Sequence, residues 1–173
     1  MKKILIIAAF IVASTLGYAQ NYDQLSNLKN TSETVITDEM FKMIANIDMD
    51  TDDPEFNELK NTIDNLKEIR IYTTENPESA KTLNSFAGNY IKSNNLVKLM
   101  HVKEDGEMFS FHMKKGSNDK KVSNLVMLMN NSNGDSDTVF LVISGDIDLD
   151  QISKLTKKMN VPGQDQIEKA TSK

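Results

Sequence analysis

Apolar residues recur at helical spacing in four stretches of the chain. Three of these stretches begin at a residue suited to cap a helix: Asp53 and Asn76, each followed by proline, and Asp148. The apolar faces of the four predicted helices are Met40, Phe41 and Ile44; Phe56, Leu59, Ile63 and Leu66; Ala80, Leu83, Phe86, Ala87, Tyr90 and Ile91; and Leu149, Ile152, Leu155 and Met159.

Strand patterns fill most of the second half of the chain. The predicted strands are residues 69–73, 96–103, 107–114, 122–129 and 138–143. Between the second and third of them, Asp105-Gly106 predicts a two-residue hairpin turn, because both positions need a positive φ and Gly106 adopts it without strain. The last strand is apolar on both sides, which favours a central place in the sheet.

This order of elements predicts an α+β fold: a two-layer domain with a mainly antiparallel sheet of about five strands and helices packed on one face. One parallel pair is expected, between the first strand and a later one, across the third helix. The expected organisation is a flexible lead-in over residues 20–36, a single domain over 37–160 and a C-terminal tail over 161–173.

The segment that joins the last strand to the last helix is predicted to be structural. Gly145 allows the chain to bend after the apolar strand. Asp148 then caps the helix, and an acid at that position also suits the helix dipole.

Residues 1–19 have the pattern of a signal peptide, with two lysines before an unbroken apolar run at 4–13. The small residues Gly17 and Ala19 mark a cleavage site, so the mature chain is expected to begin at Gln20. The apolar run is about half the length of a membrane-spanning helix. The sequence therefore predicts a periplasmic or secreted protein without a stable membrane anchor.

Composition narrows the classes of partner and chemistry. Removal of residues 1–19, which contain two Lys and no acid, takes the net charge from −5 to −7 and argues against nucleic acid as a partner. The seven glycines are scattered, so no phosphate-binding loop is predicted, and no G-x-S-x-G motif occurs. We therefore assign no catalytic residue and no cofactor, and expect the protein not to be an enzyme.

The only two histidines, His101 and His112, form the one candidate metal site. The predicted hairpin register places both imidazoles on one face as diagonal neighbours. Met108 shares that face, and Met127 and Met129 are expected on an adjacent strand, where thioethers together with imidazoles suit Cu(I). A zinc site needs further ligands, and the chain contains no cysteine.

Four segments of the chain resemble a known family. They are residues 69–72, 99–111, 122–129 and 139–149, the last of which ends in Ser-Gly-Asp-Ile-Asp-Leu. Over roughly residues 37–158 the chain is similar to the small exported Bacteroidota proteins of domain of unknown function 4252. The resemblance implies an α+β envelope protein with a part in envelope signalling, and it implies no catalytic residue.

The function predicted on these grounds is that of an exported, soluble, non-enzymatic module that binds an envelope protein or peptide. Two alternatives stay open. One is a periplasmic copper- or zinc-binding protein that uses His101 and His112. The other is a hydrolase whose active site leaves no motif in the sequence.

Overall fold

The structure, a computed structural model, describes residues 22–45, 60, 63–104, 106–116, 121–131, 137–148 and 164–171. The elements within these residues are α1 (Asp23–Ser26), β1 (Thr31–Thr37), α2 (Asp38–Ala45), β2 (Leu66–Thr74), α3 (Pro77–Ser93), β3 (Val97–Glu104), β4 (Glu107–Lys115), β5 (Lys121–Asn131), β6 (Thr138–Asp148) and α4 (Gln164–Thr171). The predicted signal peptide, with Ala19 and Gln20, lies outside the described residues, as do most of the predicted helix over 54–66 and the predicted helix over 149–159.

One six-stranded antiparallel sheet runs through the domain in the order β1-β2-β6-β5-β4-β3, which confirms the α+β class. The sixth strand is β1, which lies in the stretch expected to be a flexible lead-in. The expected parallel pair is wrong: β2 and β3 run in the same direction, but β6, β5 and β4 lie between them. The chain between β2 and β3, which includes α3, spans four strand positions of the sheet rather than one.

The core occupies both faces of the sheet. Alternate residues of β6 point to opposite sides, so that Leu141 and Ile143 join one cluster with Ile167 of α4, while Phe140 and Val142 join another cluster with α3. We call these sides the α4 face and the α3 face. Helices therefore cover both faces instead of the one expected, because the central strands are apolar on both sides. Ile167 is fully buried, so the C-terminal stretch contributes to the core rather than forming a tail.

Three predicted local features are present in the structure. The side chain of Asn76 caps α3 and accepts hydrogen bonds from the backbone N–H groups of Glu78 and Ser79, each at 3.0 Å. β6 lies between β2 and β5, in the interior of the sheet. β3 and β4 are paired from Glu104 and Glu107 onward, and Gly106 has φ 88°. Asp105 lies outside the described residues.

A bulge in β3 changes the predicted register beyond Met100. The two-residue turn at Asp105-Gly106 predicts that Met100 faces Phe111 and that Lys98 faces Met113. Met100 does face Phe111, but Lys98 faces His112, because one extra residue, Leu99, is accommodated in β3.

Gly145 lies inside β6, which continues to Asp148 instead of ending at residue 143. The pairing of β6 with β5 shifts register around this glycine, and a Cβ at Gly145 would collide with the backbone carbonyl oxygen of Asn65. Its φ of +149° also favours glycine. Gly145 is thus required by a close backbone approach. Asp148 pairs with Lys121 at the end of β6, and the helix that it was predicted to cap lies outside the described residues.

Candidate functional site

The β1 edge of the sheet is a regular, open strand. All seven residues of β1 pair with β2, from Thr31 opposite Thr74 to Thr37 opposite Glu68, without a register shift. No strand in the described part of the chain pairs with the other side of β1. Among the described residues, the backbone N–H and C=O groups on that side have no strand partner, which is the arrangement that another extended polypeptide can pair with.

Exposed apolar side chains are concentrated in β1 and in α2, the helix that follows it. Within the described residues four large apolar side chains are exposed, and three of them belong to β1 or to the helix that follows it. Val35 is 38% exposed in β1, and Met40 and Met43 are 46% and 58% exposed in α2. The fourth, Val97, begins the opposite edge strand.

The only charged side chain of β1, that of Glu33, is held against the α3 face of the sheet. The hydroxyl of Tyr72 donates to Glu33 Oε1 at 2.6 Å, and the Arg70 guanidinium lies 3.5 Å from the same oxygen. Arg70 also donates two hydrogen bonds to Glu68, at 2.7 and 2.9 Å. Arg70 offsets only part of the Glu33 charge at the edge, because its single positive charge is shared between two carboxylates.

Tyr22 completes this group, which we call the Arg70 cluster: Tyr22, Glu33, Glu68, Arg70 and Tyr72. The guanidinium carbon of Arg70 lies 4.3 Å from the centre of the Tyr22 ring, in cation–π contact. The Tyr22 ring also stacks on Tyr72 at a centroid distance of 6.2 Å. The cluster therefore ties the segment before β1 to both β1 and β2.

The pKa shifts in the Arg70 cluster are consistent with a structural role for its side chains. Burial raises the pKa of Tyr72 to about 12, and its hydrogen bond to Glu33 adds to the effect. Burial likewise raises the pKa of Tyr22 well above its usual range. The hydrogen bonds from Arg70 to Glu68 raise the pKa of the guanidinium. None of these shifts prepares a nucleophile or a general base near neutral pH.

A polar groove of about 720 Å³ opens at the start of β1. Its lining consists mainly of hydroxyl and amide side chains, with two carboxylates: Asn30, Thr31, Ser32, Thr73, Thr74, Glu75, Asn76, Pro77 and Asp137. Thr31 and Ser32 belong to β1, and Thr73 and Thr74 belong to β2, so the groove lies at one end of these two strands.

The opposite edge, β3, differs in its charge and in the regularity of its pairing. Lys98, His101 and Lys103 are exposed along it, and the bulge at Leu99 interrupts its register. Lysines and bulges are the features by which natural sheets discourage a further strand from adding to an edge.

The predicted metal ligands are only partly brought together. His101 faces Ser110, and His112 lies two residues farther along β4, so both belong to the same face of the sheet. His101 is exposed, whereas His112 is 9% exposed and its buried Nδ1 has no hydrogen-bond partner. Met127 and Met129 belong to the cluster on the opposite face, where they fill the core beside Phe111. Across the described ranges, no group of three His, Asp or Glu is placed to hold a metal ion.

Sequence reasoning missed β1 and the Arg70 cluster, although each leaves a signal. The β1 stretch contains Thr34, Val35 and Ile36, which favour a strand, but its polar residues resemble a linker. Glu68, Arg70 and Tyr72 alternate along β2, which places all three on one face. The partner of that face, Tyr22, is distant in sequence and becomes apparent only in the fold.

The chain belongs to the family described as Domain of unknown function (DUF4252), whose family model matches residues 22–155. This match confirms the family to which the sequence motifs point, and the matched range includes β1 and the whole Arg70 cluster. No curated protein and no solved structure matches the chain. None of the helices in the described ranges is long and apolar enough to cross a membrane.

Proposed function

We propose that this member of the DUF4252 family is an exported, non-enzymatic module that binds another polypeptide as an added strand on β1. Export is supported by the signal-peptide pattern of residues 1–19 and by the predicted cleavage before Gln20. On this proposal the protein acts in the periplasm or outside the cell, and its partner is an envelope protein or peptide.

The observation that carries the proposal is the regular, lysine-free β1 edge beside exposed apolar side chains. An extended segment placed along β1 gains main-chain hydrogen bonds, each with a net value of about 0.5–1.5 kcal/mol. This is the recognition mode in which the backbone supplies affinity and alternate side chains supply specificity.

The surroundings of β1 indicate which sequences would bind. Val35 is exposed and suits an apolar or β-branched residue of the added strand. Beyond Thr31, the polar groove has room for a hydrogen-bonding side chain at one end of the bound segment. The preferred ligand is therefore an extended segment with apolar residues near its middle and a polar residue at one end.

Site-specific photocrosslinking in living cells tests the proposal. A photoreactive amino acid replaces Val35 in one variant and Val97, on the opposite edge, in a matched control. We expect Val35 to crosslink to a second polypeptide and Val97 to give at most a trace of the same product. Mass spectrometry then identifies the crosslinked segment, which is synthesised and titrated against the purified protein. Equal crosslinking from both edges, or a synthetic segment that does not bind, would contradict the proposal.

A further inference from the structure

We infer that two copies of the mature chain pair through β1, antiparallel and about a two-fold axis at Thr34, whenever no other polypeptide occupies that edge. This inference rests on the proposed function, because it uses the same edge and names what pairs with that edge when no other polypeptide is bound. The two sheets would then form one continuous sheet. The α3 faces of both copies would lie on the same side, because the axis is perpendicular to the sheet.

The length of β1 selects the register. An antiparallel pair centred on Thr34 aligns all seven residues of β1 with the seven of its copy. Thr31 then faces Thr37, Ser32 faces Ile36, and Thr34 faces itself. A pair centred two residues away in either direction leaves part of the strand without a partner, so it forms fewer main-chain hydrogen bonds.

Charge agrees with this register. Glu33 faces Val35 of the copy, so no two like charges stand directly opposite each other. A register centred on Glu33 would instead place the two Glu33 side chains opposite each other. Within each copy the Glu33 carboxylate remains bonded to Tyr72 and Arg70, which weakens the repulsion between diagonal neighbours.

The residues just beyond the paired strands lie on different faces of the sheet. Lys29 precedes β1, and its carbonyl oxygen accepts a hydrogen bond from Ser79 Oγ of α3 at 2.7 Å. Asp38 opens α2, which packs Phe41 on the α4 face, and its carboxylate is paired with Lys42 at 2.8 Å. The main-chain ladder of β1, and not an ion pair at its ends, therefore holds the two copies together.

The opposite edge provides the contrast. Lys98 and Lys103 project from β3, and the bulge at Leu99 breaks its register. Pairing of β3 with its own copy would bring these lysines together and would lack a continuous ladder. Self-association is therefore expected at β1 and not at β3.

Sedimentation velocity of the purified chain, from Gln20 to Lys173, tests the inference over a range of concentrations. We expect a reversible monomer–dimer equilibrium. Val35→Glu should raise the dimer dissociation constant by about tenfold or more, because in each half of the interface it places one new carboxylate opposite Glu33 of the copy. Val35→Lys should weaken the dimer much less than Val35→Glu does, because the lysine would face that same Glu33 of the copy, although Arg70 lies opposite it in its own chain.

Two controls make the result specific. Val97→Glu introduces the same charge at the exposed start of β3 and should leave the dissociation constant within about twofold of the wild type. Circular dichroism checks that each variant is folded. Val35 pairs with Arg70 of its own chain, so a carboxylate introduced at this exposed position is compatible with the fold.

The result that overturns the inference is a wild-type chain that stays monomeric at every concentration, or a dimer that Val35→Glu leaves intact. Equal weakening by Val35→Glu and Val35→Lys would reject the register centred on Thr34. A monomer that still crosslinks to another polypeptide through Val35 in cells would reject self-pairing and leave the proposed function standing. A dimer that gives no crosslink to another polypeptide would support self-pairing and reject the proposed function.

Discussion

The two edges of the sheet carry strands of similar length and differ in almost everything else. β1 pairs without a bulge, contains no lysine, and has its one carboxylate bonded to Tyr72 and Arg70. β3 has a bulge and two exposed lysines. The comparison shows that protection against a further strand is applied at one edge of this domain and relaxed at the other. Because β1 lacks the lysines and the bulge that protect β3, β1 is the more informative edge for function.

Loss of Arg70 should have the largest effect on this comparison. Arg70→Ala leaves Glu33 and Glu68 partly buried without their shared cation, so we expect a loss of about 2–3 kcal/mol in the free energy of unfolding. Urea denaturation measures the loss, and hydrogen exchange should show the β1 amides exchanging faster than those of β3. Lys103→Ala, on the other edge, is the control and should change stability by less than about 0.5 kcal/mol. Equal effects from the two variants would show that Arg70 does not support the β1 edge.

Disruption of the β3–β4 turn should have the next largest effect and should act at the other edge. Gly106 has φ 88°, where a β-branched residue costs of order 1–2 kcal/mol, so Gly106→Val should lower the urea midpoint. Faster exchange should be confined to β3 and β4. Gly88 is the matched control, because no atom lies within 4 Å of a Cβ added there, and Gly88→Ala should not destabilise the protein. An unchanged midpoint for Gly106→Val would mean that the turn tolerates the valine.

The protected edge and the central strands could be predicted from the sequence because their signals are local. Asp105-Gly106 marks a two-residue turn, and the apolar run at 138–143 marks a strand buried on both sides. β1 could not be predicted in the same way, because an edge strand buries little and its composition resembles that of a linker. Its place depends on Tyr72 and Arg70, which meet Glu33 only after the chain has folded.

Acid should weaken the β3 side of the sheet through His112. Burial lowers the pKa of His112, and the positive charge of Lys98 across the strand pair lowers it further. The unfolded chain therefore binds a proton more readily than the folded one. The contribution of this neutral histidine to stability is fully present above about pH 6.5 and is lost as the pH falls through that value towards the lower folded pKa.

Urea midpoints measured above and below about pH 6.5 check this expectation. His112→Leu should remove that part of the pH dependence, whereas His101→Leu, at an exposed position on the same face, should retain it. A wild-type midpoint that stays constant across this pH range would contradict the assignment. If His101→Leu removed the pH dependence and His112→Leu did not, the assignment to His112 would be wrong.

Removal of the signal peptide should have the smallest effect on stability, and it concerns the β1 edge alone. Cleavage before Gln20 would leave two residues ahead of Tyr22, whose ring packs on Arg70 and Tyr72. Intact mass of protein from the envelope fraction should match a chain that begins at Gln20. The mass of the full 173 residues would contradict both the cleavage and the proposed export.

Ala19→Arg should block processing, because signal peptidase requires a small residue at that position, and the uncleaved precursor should accumulate. The matched control, Asn21→Arg, introduces the same charge beyond the cleavage site and should still be processed. Because Tyr22 packs on Arg70, which pairs with Val35, failed processing should impair crosslinking from Val35 while leaving the β3 edge unaffected.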